Sequence, residues 1–247
     1  MEFKIHKLSE DPNFQPEFSR LHHEGWPEFM LHDVKADLYW HLLMTVFSDF
    51  QILLCNLDEH VLAVGNSIPI FWDGTIEGLP SGWEGAFERG ASGYKDGIKP
   101  NTLSALAIVI DPKFQGKGIS SHIIRAVKNA ARENDFNNFI VPLRPSLKNQ
   151  YPLISIEKYI EWKNEAGFPF DPWLRTHCKI GAKILAIAPQ SMIIKGTIAE
   201  WEQWTKMRFP ETGAYTVPGA LAPVQVDCEN DIGQYIEPNI WVCHECT

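Results

Sequence analysis

Hydrophobic positions along the N-terminal half of the chain alternate between strand-like and helix-like spacing. The spacing predicts strands at 3–8, 52–57, 60–71, 103–110 and 139–143. Helices are predicted at 16–26 and 34–47, separated by the Gly25-Trp26-Pro27 break, and a turn at Asp58-Glu59 joins the second and third strands. The glycine-rich residues 73–100 predict a long loop with room for a short helix. Loops of that length are usually functional or disordered, and Trp83 and Phe87 favour function here.

The C-terminal half continues the same mixed pattern. Asp171-Pro172-Trp173 predicts the start of a helix that ends at Gly181, and Trp201 and Trp204 predict a second short helix. The predicted strands are 183–188, 192–199, 215–217, 224–227 and 235–242.

A strand that runs directly into a glycine turn and a helix is the most informative local pattern. Residues 103–110 are apolar on both alternating faces except at Ser104, which predicts a strand covered on both sides, and Asp111-Pro112 ends it. The helix that follows starts near Ile119. Its first turn leaves N–H groups unpaired and carries the positive end of the helix dipole, so it attracts phosphate groups. Gly116 and Gly118 have no Cβ to keep a phosphate at a distance.

Two familiar phosphate-binding motifs do not fit this turn. A nucleoside-triphosphatase loop needs Ser or Thr after its lysine, but Gly118 follows Lys117. A dinucleotide fingerprint needs a third glycine at position 121, where Ser121 stands. A glycine turn without any ligand remains the plain alternative.

Gln115, Gly118 and Ser120, preceded by the apolar strand and Asp-Pro, closely resemble the acyl-coenzyme A signature of the GNAT acyltransferase superfamily. That signature is Gln or Arg, x, x, Gly, x, Gly or Ala, so Ser120 departs from its last position while staying small. The resemblance implies an α+β (mixed α/β) fold with a mostly antiparallel central sheet, helices on both faces and splayed parallel strands at the coenzyme site. It also implies acetyl-CoA or a related acyl-CoA as co-substrate. The implied coenzyme-binding residues are Ile108, Ile110, Gln115, Gly116, Lys117, Gly118, Ile119 and Ser120.

Pro142 lies inside the predicted strand 139–143. Proline cannot donate a ladder hydrogen bond, so one side of this strand is expected to be unpaired there. In the family that the chain resembles, the pantetheine arm inserts between two parallel strands that splay apart, and Pro142 would suit the open side. An ordinary edge strand or a bulge explains the proline equally well.

Catalytic residues are indicated only by the resemblance. His177 stands four residues before Gly181, where the family often has a tyrosine that protonates the departing thiolate. An imidazole could donate that proton, and a structural histidine is the alternative. The resemblance places the backbone N–H that stabilises the oxyanion near Ile110. No general base stands out among the acidic and histidine side chains expected near the acceptor, which are His22, His23, Glu28, His32, Glu77, Glu84 and Glu88.

The charge distribution fits an anionic ligand. The formal net charge is −9, yet residues 95–148 hold nine Lys and Arg against four Asp and Glu. A basic stretch in an acidic protein attracts coenzyme phosphates, whereas the acidic remainder argues against nucleic acid as a partner. The absence of an apolar run near ~18 residues argues against a membrane span, and no signal-peptide core is found at residues 1–16. We therefore expect a cytoplasmic protein.

Five scattered cysteines do not predict a disulfide framework. Cys243 and Cys246 lack a second ligand pair at zinc spacing, so free thiols and no metal are expected.

The 247 residues can bury one substantial core. We expect an acyltransferase domain at 1–188 and a C-terminal extension at 189–247 that packs on the core or on a second subunit of a homodimer, where it could also cover the acceptor. The expected function is direct transfer of an acetyl or other short acyl group from acyl-CoA to an amine of a small molecule. A longer-chain acyltransferase, and a coenzyme A binding module without transferase activity, are the alternatives.

Overall fold

The predicted strands join one mixed sheet. A computed structural model of the chain describes residues 2–246. Its strands are β1 (Lys4–Lys7), β2 (Ile52–Cys55), β3 (Val61–Ile70), β4 (Thr102–Ile110), β5 (Asn138–Leu143), β6 (Lys183–Gly196), β7 (Gly213–Tyr215), β8 (Val224–Asp227) and β9 (Ile232–Glu245). Its α-helices are α1 (Gln15–Gly25), α2 (Val34–Met44), α3 (Trp83–Lys95), α4 (Ile119–Glu133), α5 (Ile156–Glu161), α6 (Pro172–Lys179) and α7 (Ile198–Thr205).

The strand order is β1-β2-β3-β4-β5-β9, continued from β9 by β8 and β7. Strands β5 and β8 pair with one edge of β9, and β6 pairs with the other edge. Among the described strands, β4 and β5 are the parallel pair and the other named pairs are antiparallel. The mixed, mostly antiparallel sheet implied by the family resemblance is therefore confirmed.

Helices cover both faces of this sheet. All ten residues of β3 are buried, as a strand with no solvated face requires. On one face Ile123 and Val127 of α4 pack against β2, β4 and β5, together with residues of α5 and α6. On the other face lie α1, α2, α3 and α7, which bury Phe18, Leu43 and Trp201. None of the described helices is both long enough and apolar enough to cross a bilayer.

The segment 73–100, predicted as a long loop with room for a short helix, contains α3, a helix of thirteen residues that is longer than expected. Trp83, Phe87 and Ala91 recur every four residues and form its buried face. Glycines at helix positions hid this pattern. Gly90 has a packing reason to be there, because a Cβ at this position would press on the side chain of Ile68 of β3.

The strands predicted at 183–188 and 192–199 are one strand, β6. Its pairing with β9 shifts register between Ala188 and Met192, and this irregularity accommodates Pro189 without ending the strand. The predicted boundary between residues 188 and 189 falls inside β6. The residues on the two sides of that boundary belong to the same strand.

The C-terminal segment packs on the core of its own chain. Trp201 and Trp241 are fully buried, and the Trp201 indole N–H donates to the Gly233 carbonyl at 2.8 Å. Strand β9 pairs with β5 on one side and β6 on the other. This burial does not require a second subunit.

Replacing Trp201 by alanine is expected to lower the free energy of unfolding by about 3–5 kcal/mol, because truncation of a fully buried tryptophan leaves a cavity. Urea denaturation followed by circular dichroism measures this value. Ile76→Ala, at a side chain 55% exposed, is the control and is expected to stay within about 0.5 kcal/mol of the parent. A loss below 1 kcal/mol for Trp201→Ala would show that this segment does not stabilise the core.

Candidate functional site

A gap opens between β4 and β5. The two strands pair only from Thr102 opposite Asn138 to Ser104 opposite Ile140. Beyond Ile140, β5 keeps its partner β9 through Leu143 but has no partner on the β4 side. Pro142 lies in the stretch of β5 that pairs only with β9. Strand β4 offers no ladder bond there, so proline, which has no N–H, costs none on that side. The gap belongs to a cleft of about 700 Å³.

The glycine turn forms one end of this cleft. Asp111 accepts a hydrogen bond from the Lys113 N–H at 2.9 Å and holds the turn that leads to α4. Gly116 and Gly118 have φ angles of +75° and +78°, which glycine adopts without strain, and a Cβ at either position would meet nothing within 4 Å. Gly118 begins α4 without any side-chain cap. The first-turn N–H groups of a fifteen-residue helix are thus left for an anionic group.

Most of the residues predicted to bind the coenzyme line this cleft. They are Ile108, Ile110, Gln115, Gly116, Gly118, Ile119 and Ser120. Lys117 does not line it, and its ammonium lies 4.7 Å from the centre of the Phe114 ring. The coenzyme contacts of all these residues stay predictions.

The backbone of β4 faces the gap at alternate residues. The Asp111 N–H donates to Leu62 of β3, on the side away from the gap. Because successive N–H groups of a strand point in opposite directions, those of Ile110 and Ile108 point into the gap. Both can donate to a carbonyl or an oxyanion that enters it.

A second cavity, of about 480 Å³, lies between α1, α2 and the sheet. It shares with the cleft a wall formed by Trp26, Trp83, Leu106, Ala107 and Met192. At this wall β4 bulges, because Asn66 of β3 faces Ala107 while Ser67 faces Ala105. The Trp83 indole N–H donates to the Leu106 carbonyl at 2.5 Å and holds the bulge in place. The two compartments therefore meet at the bulge.

His177 does not reach this meeting point. It is fully buried and does not line the cleft, whereas Trp173 and Thr176 of the same helix do. Its Nδ1 lies 2.9 Å from Nε2 of His244, and burial lowers the pKa of His177 well below its ordinary value. This placement argues against the expectation that His177 protonates the thiolate, because its imidazole is enclosed by protein and does not line the cleft.

Of the candidate bases, His22 and His23 line the second cavity. Glu84 lines neither compartment; burial raises its pKa to about 7, and its carboxylate accepts the Ile193 N–H. The remaining candidates are on the surface, where Glu28 pairs with His32, Glu88 pairs with Lys35 and Glu77 is exposed.

A polar network in the cleft wall was not predicted from the sequence. Glu237, fully buried on β9, accepts hydrogen bonds from Arg144 at 2.8 Å, Tyr235 at 2.8 Å and Asn239 at 3.0 Å. Arg144 also donates to the Gly219 carbonyl at 2.5 Å. The proline that follows Glu237 and the alternation of hydrophobic and polar residues along β9 can be recognised in the sequence. No local signal links that strand to Arg144, which lies 93 residues away.

Comparison with known proteins agrees with this geometry. No family model matches the chain. The chain is 33% identical to the arginine N-acetyltransferase avaD of Aspergillus versicolor, over 89% of this chain and 84% of that protein. Among solved structures, the loading GNATL domain of CurA from Lyngbya majuscula matches all of this chain and 98% of its own, with a TM-score of 0.63 and 14% identity. The GphF GNAT-like decarboxylase in complex with isobutyryl-CoA matches over the whole of both chains, with a TM-score of 0.57 and 16% identity.

The two solved structures share the fold, and the fungal acetyltransferase shares a third of its residues over most of both chains. Because the similarity extends over most of the chain, the match at the glycine turn is not a chance occurrence of a short motif. The chain belongs to the GNAT superfamily and is an acyl-CoA-dependent N-acyltransferase that acts on an amine.

Proposed function

We propose that this enzyme transfers an acetyl group from acetyl-CoA to an amine of a small cationic molecule, with arginine as the first candidate. The observation that carries this proposal is the meeting of two compartments at the β4 bulge, one bordered by the glycine turn and one by α1 and α2. A thioester in the first compartment and an amine in the second would come together there.

The chemistry of the second cavity supports a cationic acceptor. Its described lining contains one carboxylate, Asp37, and no Lys or Arg. Trp40 adds an aromatic ring, and such rings attract cations through their faces. The Trp26 ring also lines the cavity, with the Arg144 guanidinium 5.8 Å from its centre. A guanidinium can pair with a carboxylate and stack on an aromatic ring at the same time. The 33% identical relative is an arginine N-acetyltransferase, which favours the same class of acceptor.

The wall between the compartments supports a short acyl group. Trp83 and Met192 are buried at this wall, and α3 holds Trp83 on a rigid element rather than on a loop. A long acyl chain would need these side chains to move. We therefore keep acetyl-CoA as the first donor to test.

The oxyanion donor is better placed at Ile108 than at Ile110. The diphosphate would lie at the glycine turn, next to Ile110, and the pantetheine arm would extend along β4 towards the bulge. Ile110 is three residues from Ala107, about 10 Å along an extended strand. The N–H of Ile108 is the gap-facing donor nearer to the bulge, and the N–H of Ile110 would then bind the pantetheine arm.

The expectations of a cytoplasmic protein, of a homodimer and of no nucleic-acid or membrane partner stay predictions.

Arginine and citrulline provide the direct test of the acceptor, because citrulline carries the same α-amine but an uncharged urea in place of the guanidinium. We expect kcat/KM with acetyl-CoA to be at least tenfold higher for arginine, about 1.4 kcal/mol of charge recognition. Thiol release and mass spectrometry of the product measure it. Equal values for the two amino acids would contradict a cationic acceptor.

Asp37→Asn is expected to raise KM for arginine about tenfold, since the neutral amide removes one charge-assisted contact, while leaving the affinity for acetyl-CoA unchanged. Asp58→Asn, in the β2–β3 turn far from the cavity, is the matched control. An unchanged KM in the Asp37 variant would show that the guanidinium lies elsewhere.

Gly118→Ala is expected to weaken acetyl-CoA binding at least tenfold in calorimetry. A side chain disfavours the left-handed backbone by about 1–2 kcal/mol, which misdirects the first N–H groups of α4. Gly97→Ala is the matched control, because Gly97 has a φ of +66° and equally open surroundings but lies outside the cleft. Both variants should lose similar stability. Equal coenzyme affinity in both would mean that the glycine turn does not bind the coenzyme.

A further inference from the structure

A chain of buried amides beside the acceptor cavity has a single consistent orientation. Gln51 and Asn66 are both fully buried. The Gln51 Nε2 lies 2.7 Å from the Phe47 carbonyl and 2.9 Å from the Ser67 carbonyl, and both carbonyls can only accept. The amide nitrogen must therefore face them. Oε1 of Gln51 then faces Asn66, whose Nδ2 donates to it at 3.0 Å.

This orientation determines the tautomer of His22. Once Nδ2 of Asn66 donates to Gln51, its Oδ1 must face His22, and Oδ1 lies 2.8 Å from Nε2 of the imidazole. An amide oxygen can only accept, so Nε2 carries the hydrogen. In a neutral imidazole the lone pair then belongs to Nδ1.

His22 lies in the wall of the cavity proposed for the acceptor. The cross-strand partner of Asn66 is Ala107, which lies in the wall shared by both compartments. The His22 and Trp40 rings pack edge to face, with their centroids 5.0 Å apart. Among the described residues, Nδ1 of His22 makes no hydrogen bond to protein.

We propose that Nδ1 of His22 accepts the proton of the attacking amine, and that Gln51 and Asn66 are positioning residues that hold the required tautomer. The inference rests on the proposed function, because it assigns a role at the same acceptor site.

Acyl transfer begins with attack of the amine on the thioester. The amine lone pair forms a C–N bond to the thioester carbon while the carbonyl π pair moves to oxygen, towards the N–H of Ile108. The nitrogen becomes more acidic as this bond forms, and its proton passes to Nδ1. Collapse of the tetrahedral intermediate restores the C=O bond and breaks the C–S bond, releasing the coenzyme thiolate. The proton on Nδ1 is then available to the thiolate, directly or through water.

The surroundings keep His22 in its basic form. Burial lowers its pKa to about 4; the Asn66 hydrogen bond opposes this shift and nearby His23 adds to it. The ionisable groups around the cavity are His23 on the same helix and Asp37 on α2, while β3 and β4 present the uncharged Asn66 and Ala107. At neutral pH the imidazole is therefore uncharged. A weak base suffices if the proton moves only after C–N bond formation has begun.

The first experiment compares His22→Gln with His41→Gln. Glutamine at position 22 can still donate a hydrogen bond to Asn66 but has no basic nitrogen, whereas His41 is exposed on α2 and lines neither compartment. We expect kcat/KM for the acceptor to fall about 10²–10⁴-fold in the first variant only. The Kd for acetyl-CoA and the midpoint of thermal unfolding should match the parent. Retention of more than a third of kcat/KM by a folded His22→Gln protein would overturn the proposal.

The second experiment reads the tautomer and its titration without requiring turnover. Nitrogen-15 NMR of the parent protein at pH 7 is expected to show Nε2–H at His22, and Nδ1–H would overturn the proposal. Asn66→Asp places a carboxylate against Nε2 and is expected to raise the His22 pKa. The acid limb of the pH profile of kcat/KM should then move to higher pH. An unmoved limb, with the NMR pKa raised, would show that His22 is only structural. If the parent acetylates no amine, the proposed function fails, while the NMR outcome still decides the tautomer.

Discussion

The early end of the β4–β5 ladder is the constraint on which the site depends. Three residue pairs hold the two strands together, and beyond them β4 stays paired with β3 while β5 stays paired with β9. Each strand is thus held firmly from one side, so the gap does not close. The backbone groups of β4 that face it remain free to pair with an extended ligand, as the edge of a sheet pairs with an added strand.

The C-terminal strands keep this gap open. Strand β9 binds β5 along one edge and β6 along the other, and Trp201 and Trp241 anchor this part of the sheet to the core. The same strand brings the fully buried Glu237 into the cleft wall, where it pairs with the partly buried guanidinium of Arg144. A segment that the sequence presents as an extension therefore helps to shape the cleft beside the glycine turn.

Strand β4 also determines where the two compartments meet. Its bulge at Leu106 interrupts the regular alternation of side chains, and Trp83 of α3 holds the bulge by a hydrogen bond to the Leu106 carbonyl. Both cavities reach this point, one beside the glycine turn and the other beside α1 and α2. The family's reaction requires a thioester and an amine to meet, and this arrangement provides one place for it.

Local sequence determined the features that depend on neighbouring residues: the apolar strand, the left-handed Gly116 and Gly118, the start of α4 and the one-sided strand at Pro142. These follow from backbone preferences within a few positions. Tertiary structure alone decided that His177 is enclosed against His244 and that Gln51 and Asn66 orient His22. Those outcomes depend on contacts between residues far apart in the chain, which hydrophobic spacing does not encode.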